Sequence, residues 1–166
     1  YVLIQNNEQI DLLLKSIRPL LTAINKDCKN QVVVNELKAS LTNLSKIDLH
    51  YQIKENVLFP RIEKYLPDYR CLQVMWSFHD DIRRNLKETI QMLGTADFDL
   101  KKFNRLAGDI FFNIYAIKFR EERILFPVIS SLIHEEELNM LIGESLEIGF
   151  PFVQPEKSTD AFLSTE

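Results

Sequence analysis

Two histidines and a glutamate interrupt apolar stripes that otherwise mark the buried faces of helices. His79 lies within a stripe of apolar residues spaced three or four apart, and Glu55 lies within a second such stripe. His50 lies five residues before Glu55, at the edge of the same helical face. Burying a polar group without a partner costs about 2–7 kcal/mol, and an isolated charge costs more. These side chains therefore need a metal cation, a basic partner or a proton.

A short internal repeat points to a further carboxylate. The sequence Leu58-Phe59-Pro60 recurs as Leu125-Phe126-Pro127, and a glutamate precedes each copy at the same spacing. The alignment pairs Glu122 with Glu55 and predicts that Glu122 points inward. A competing stripe of isoleucines would place Glu121 inward instead. We prefer Glu122, because the repeat fixes the register independently of the stripes.

Three helices would thus bring His50, Glu55, His79 and Glu122 to one level of a core. Imidazole and carboxylate together are ligands for Fe, Mn or Zn, and a helical bundle can hold such ligands on rigid elements. The spacing leaves a second interpretation open, in which the buried groups form a salt-bridge network. The basic residues available to that network are Lys54, Arg83 and Lys118.

The stripes belong to four long helices and a short fifth, expected at about residues 1–25, 31–66, 70–93, 97 or 99–133, and 135–148. Short connections between them predict an all-α, up-down-up-down four-helix bundle. Pro19, Pro60 and Pro127 should kink the helices that contain them. We expect the bundle to span residues 1–149, and residues 150–166, which lack a helical period, to form a linker or tail.

Composition excludes several other classes of protein. Only 4 Gly and 6 Pro occur in 166 residues, too few for the turns of an all-β fold. The net charge of −4 and the lack of a basic stretch argue against nucleic acid as a partner. No uninterrupted apolar run is long enough to span a membrane. Cys28 and Cys71 fit reduced thiols in a cytoplasmic protein, and His134, among glutamates, fits the surface.

The chain resembles the hemerythrin-like HHE cation-binding family. The resemblance covers roughly residues 1–150 and rests on ordered motifs in three helices. These motifs are His50-Tyr51-x-x-Lys54-Glu55-Asn56-x-Leu58-Phe59-Pro60, Val74-Met75-Trp76-x-x-His79-Asp80-x-Ile82-Arg83, and Glu121-Glu122-x-Ile124-Leu125-Phe126-Pro127. More narrowly, the chain is similar to the branch whose bundle precedes a PAS sensor domain.

The resemblance implies a four-helix bundle that holds non-haem iron, as a di-iron or mononuclear site, with Mn or Zn as other metals. Carried onto this chain, His50, Glu55, His79 and Glu122 take ligand positions. Family members often have a histidine in helix four, where this chain has Ile117. The helix-one histidine of the family falls just before Tyr1 in the apparent register.

The interpretation that we favour is a metal-binding sensory or regulatory module rather than an enzyme. Its small ligand would be oxygen or nitric oxide, or it would respond to redox state, and it would act on a following PAS domain or a protein partner. The sequence carries no nucleophile elbow, P-loop or Rossmann glycines. Two alternatives are an iron-handling or cluster-repair protein and a metal-free interaction bundle.

Overall fold

The structure is a computed structural model that describes residues 1–156, and every regular element within them is helical. Eight α-helices are present in that range: α1 Val2–Lys26, α2 Gln31–Leu44, α3 Ile47–Ile53, α4 Phe59–Tyr65, α5 Cys71–Leu93, α6 Leu100–Arg120, α7 Phe126–Leu132 and α8 Glu135–Ile148. Two π-helical segments join some of them. Segment π1, Lys54–Leu58, connects α3 to α4, and segment π2, Glu121–Leu125, connects α6 to α7.

These elements form the predicted bundle of four long arms. The arms are α1, the run from α2 to α4, α5, and the run from α6 to α7, while α8 is the short fifth helix. Helix α1 packs against α2 and α6, and α5 packs against the same two helices, so the four arms enclose one core. Short connections make successive arms antiparallel. The prediction of an all-α helical bundle is confirmed.

Side chains at the helix ends explain several boundaries. The Asn30 side chain accepts hydrogen bonds from the Val32 and Val33 amides and so caps α2. Asp99 does the same for α6 through the Lys102 amide. Helix α8 ends at Ile148 and is followed by Gly149, whose φ of +94° lies in a region that residues with side chains disfavour.

Two of the long arms differ in detail from the prediction. Pro19 lies inside α1, which nevertheless runs unbroken from Val2 to Lys26. The predicted helix at 31–66 is instead interrupted at Ser45 and Lys46, where a turn separates α2 from α3. There the Lys46 amide donates to the Asn43 carbonyl at 3.2 Å, three residues back rather than four.

Each π segment ends at the leucine of a Leu-Phe-Pro sequence, two residues before the proline. The Phe59 amide donates to the Lys54 carbonyl and the Phe126 amide to the Glu121 carbonyl, five residues back in both cases. The prolines that follow lie in the first turns of α4 and α7. A missing amide hydrogen is tolerated in a first helical turn, so the chain continues with a proline in each arm.

The chain beyond α8 returns to the bundle. Phe150 is buried, and the amides of Phe152 and Val153 each donate to Asn6 Oδ1 at 3.0 Å. The predicted tail also includes residues 157–166, which lie outside the described residues. Within residues 1–156, none of the helices is long and apolar enough to cross a membrane.

Candidate functional site

A cluster of polar side chains lies inside the bundle, surrounded by the apolar core. Its members come from all four arms, and each is at most 5% exposed. They are Asn7 of α1, His50 and Tyr51 of α3, Lys54 and Glu55 of π1, His79 of α5 and Glu121 of π2. We call this set the core cluster. Burial of so many polar groups is costly unless they satisfy one another.

One half of the core cluster is built on Glu55. Its carboxylate accepts two hydrogen bonds from the Arg83 guanidinium, at 3.0 and 2.5 Å. Glu55 Oε2 also lies 3.1 Å from Nδ1 of His79. Arg83 in turn donates through Nε to Asp48 at the edge of the bundle. The Glu55 charge is therefore matched by a two-pronged guanidinium contact, the strong form of this interaction.

The other half is built on Glu121, which is fully buried. Its Oε1 atom forms an ion pair with the Lys54 ammonium. Its Oε2 atom accepts a hydrogen bond from Asn7 Nδ2 at 2.8 Å and lies 3.3 Å from His50 Nε2. Two other arms thus supply partners to this one carboxylate: α1 through Asn7, and the run from α2 to α4 through His50 and Lys54.

Lys54 joins the two halves. Its Nζ atom lies 2.9 Å from His79 Nε2 and 4.5 Å from the centre of the Tyr51 ring. The Tyr51 ring stacks on the His79 ring with centroids 4.1 Å apart. Together with Glu121, these contacts give the three N–H bonds of the ammonium three acceptors: a carboxylate, an imidazole nitrogen and an aromatic face.

The hydrogen bonds and burial define the protonation of both histidines. His79 donates from Nδ1 to Glu55 and accepts at Nε2 from Lys54, which requires a neutral ring. His50 donates from Nε2 to Glu121, and its Nδ1 atom has no partner among the described residues. Burial, reinforced by the nearby Lys54 charge, lowers the pKa of both imidazoles well below the usual range.

Burial also acts on the other titratable groups of the core cluster. It raises the pKa of Tyr51 and lowers the pKa of Lys54, although the nearby Glu55 charge favours the protonated lysine. For Arg83, burial acts to lower the pKa, but hydrogen bonds to Glu55 and Asp48 outweigh it and raise the pKa overall. The Lys54–Glu121 pair carries no net charge wherever its shared proton lies.

Three of the four predicted site residues lie in the core cluster. His50, Glu55 and His79 are buried there, as the apolar stripes indicated. The preference for Glu122 over Glu121 as the inward side chain is wrong: Glu121 is fully buried, and Glu122 is only half-buried.

The π segments explain this error. Inward positions in both arms are spaced by four residues through the π turn, giving 50, 54, 58 and 62 in one arm and 117, 121, 125 and 129 in the other. The repeat alignment itself holds, since Leu58 and Leu125 are both buried. The inward partner of Glu121 is therefore Lys54, and Glu55 is an additional buried residue next to it.

Sequence reasoning did not identify Asn7 as part of this cluster. Asn7 and the preceding Asn6 are both buried on α1, and a pair of buried amides in an amphipathic helix is the signal that was available. Lys54 and Arg83 were named only as basic residues for a salt-bridge network. The structure brings both into such a network.

The core cluster does not match a metal site of the kind that the sequence predicted. Among residues 1–156, no three His, Cys, Asp or Glu side chains lie close enough together to hold a metal ion. Lys54 Nζ occupies the point toward which His79 and Glu121 are directed. The two carboxylates already have two basic partners, so the cluster needs no divalent cation for charge balance.

Comparison with known proteins agrees with the motifs and the fold. The family model of the hemerythrin HHE cation-binding domain matches residues 1–129, which cover α1 to α6, both π segments and part of α7. A search of curated proteins finds no significant match. Hemerythrin-family domains bind metal cations, usually iron. On the family model, the chain belongs to the hemerythrin HHE cation-binding domain family.

Proposed function

We propose that this chain is a regulatory helical module, not an enzyme, that transmits the state of its core cluster to the segment after α8. The observation that carries this proposal is a pair of adjacent asparagines on α1. Asn7 donates to Glu121 in the core cluster, whereas Asn6 binds the backbone of the returning C-terminal segment. Two consecutive residues of α1 therefore connect the core cluster to the C-terminal segment.

Asn6 binds the returning segment through both the oxygen and the nitrogen of its side-chain amide. Oδ1 of Asn6 accepts from the amides of Phe152 and Val153, and Nδ2 donates to the Val153 carbonyl at 3.0 Å. Nδ2 also donates to the Val2 carbonyl at 2.8 Å. A shift of α1 that disturbs Asn7 would displace these bonds, because the two asparagines share one rigid helix.

Helix α8 provides a second connection. It packs against α3 and π1, the two elements that supply His50 and Lys54. Glu137 of α8 accepts hydrogen bonds from Arg61 at 3.0 Å and from the Tyr65 hydroxyl at 2.8 Å, both on α4. Rearrangement of π1 would thus reach α8 and the segment that follows it.

The dimensions of the core cluster support a role other than turnover. The cavity between His50, Tyr51 and Glu121 has a volume of about 10 Å³. That is room for about one water molecule and too little for an organic substrate.

Hydrogen exchange of the Phe152 and Val153 amides tests the proposed coupling. Glu121→Gln weakens the contacts that hold Asn7, so we expect both amides to exchange roughly five- to tenfold faster, as the loss of about one hydrogen bond would produce. Asn7→Ala should have the same effect. Glu122→Gln is the matched control, because it changes the neighbouring half-buried carboxylate.

Amides in the middle of α5 report global unfolding in the same experiment and are used to normalise the rates. Asn6→Ala removes the direct contact and should release both amides completely. The coupling is refuted if Asn6→Ala speeds exchange whereas Glu121→Gln and Asn7→Ala leave the normalised rates unchanged.

A second candidate is sensing of oxygen, nitric oxide or redox state through non-haem iron, with iron handling as a related role. It is supported by the family and by the burial of His50, His79 and Glu121 in one cluster, where His50 contacts Glu121 directly and His79 contacts the lysine that is paired with it. Iron content after purification and anaerobic titration with ferrous ion test it. A following PAS domain and a cytoplasmic location stay predictions from the sequence.

A further inference from the structure

Lys54 is a fully buried amine with a complete set of partners. Its side chain is 0% exposed, and it contacts Glu121 Oε1, His79 Nε2 and the face of Tyr51. These partners come from α3, α5 and π2, so three elements are arranged around one nitrogen atom. A lysine that filled space or reached for solvent would not be enclosed in this way.

The internal repeat shows which kind of group this amine replaces. Position 54 in π1 corresponds to position 121 in π2, and both side chains point inward. One copy of the repeat therefore supplies a carboxylate and the other an amine. Two carboxylates at these positions would repel each other and attract a cation, whereas an amine and a carboxylate neutralise each other.

The charges of the whole core cluster agree with this replacement. Glu55 is paired with Arg83, and Glu121 is paired with Lys54. Both imidazoles are neutral in the arrangement of their hydrogen bonds. A divalent ion at the same point would collide with the lysine amine and would add two positive charges to a balanced cluster.

We propose that the Lys54 amine takes the place of the metal cation in this member of the family, and that it alone prevents divalent metal binding in the core cluster. The inference concerns what occupies the cluster and holds independently of any coupling to the C-terminal segment.

A gain of metal binding tests this inference. Lys54→Glu adds a carboxylate beside His50, His79 and Glu121, and these are ligands that Zn²⁺ accepts. Equilibrium dialysis against Zn²⁺ and Mn²⁺, followed by elemental analysis, should find about one bound ion per chain in this variant. Lys64→Glu makes the same charge change at an exposed site on α4 and serves as the control. Wild type and control should retain no ion.

Circular dichroism with and without Zn²⁺ keeps the test decisive if the variant folds poorly. A third carboxylate in the core destabilises the metal-free form, so Zn²⁺ should restore or raise the helical signal of Lys54→Glu and leave wild type unchanged. The inference is overturned if purified wild type retains one tightly held ion per chain. It is equally overturned if the Lys54→Glu variant shows neither bound metal nor a Zn²⁺-dependent gain in helicity or melting temperature.

A double variant checks the same inference by a different route. Lys54→Met leaves Glu121 buried without its basic partner and should lower the melting temperature, whereas adding Glu121→Gln should recover much of the loss. A cluster held by metal would instead be weakened further by the second change, since it removes a ligand. That result would contradict the proposed role of Lys54.

Discussion

Glu55 accepts hydrogen bonds from Arg83 and His79, so its charge is matched within the fold. Glu55→Gln keeps the size of the side chain but removes that charge. We expect the free energy of unfolding to fall by about 1–3 kcal/mol, because Arg83 and His79 lose a charged acceptor. The expected loss is moderate because the Arg83 side chain is 28% exposed and water can partly replace the contact.

Urea denaturation measures this change. Glu63→Gln removes a charge at an exposed position of the same arm and should change the free energy of unfolding by less than about 0.5 kcal/mol. A Glu55→Gln protein as stable as wild type would show that Arg83 contributes little to the burial of this carboxylate.

The sequence predicted which residues are buried better than it predicted which residues contact one another. His79 and Glu55 interrupt regular apolar stripes, and a stripe position reports burial directly. Partners depend on how arms distant in the chain come together, as when Asn7 meets Glu121 across 114 residues. Metal binding and a salt-bridge network were therefore both compatible with the same stripes.

At the scale of the elements, the three prolines within helical arms occupy two kinds of local setting. Pro19 lies exposed in the interior of α1, whereas Pro127 lies in the first turn of α7 after a π segment. Pro19→Ala restores a helical hydrogen bond and removes a steric clash, so we expect the free energy of unfolding to rise by about 1–3 kcal/mol.

Pro127→Ala provides the comparison. A proline in a compatible first turn stabilises chiefly by restricting the unfolded chain, so its loss should lower the free energy of unfolding by about 0.4–1 kcal/mol. Denaturant unfolding of both variants measures these changes in the free energy of unfolding, which should have opposite signs. A gain in stability from Pro127→Ala would show that π2 does not relieve the strain at this proline.

The π segments also show where sequence reasoning about elements reached its limit. Leu-Phe-Pro predicted a local disturbance in each arm, and the structure places a π segment before each proline. Hydrogen bonds five residues back leave no pattern of their own in the sequence. The repeat alignment started from Glu55, whereas the inward position of the first copy through π1 is Lys54, so it pointed to Glu122 instead of Glu121.

At the scale of the whole molecule, two neutral imidazoles in the core make stability depend on pH. The pKa values of His50 and His79 are lowered by burial, so both remain unprotonated in the folded protein at pH values where the unfolded chain binds protons. Histidine in the unfolded chain titrates at about pH 6.5. Stability rises with pH wherever the unfolded state binds more protons.

The contribution of these two histidines is thus fully present above the unfolded pKa and declines as the pH falls below about 6.5. With two groups, the free energy of unfolding should decrease by up to about 2.7 kcal/mol per pH unit. Urea unfolding between about pH 7 and pH 5 measures this slope before most unfolded-chain carboxylates titrate. His79→Gln should halve the slope, because it removes one of the two protonation sites while His50 keeps its place against Glu121. A slope that His79→Gln leaves unchanged would mean that the folded core takes up the proton on His79, at the expense of the hydrogen bond it accepts from Lys54.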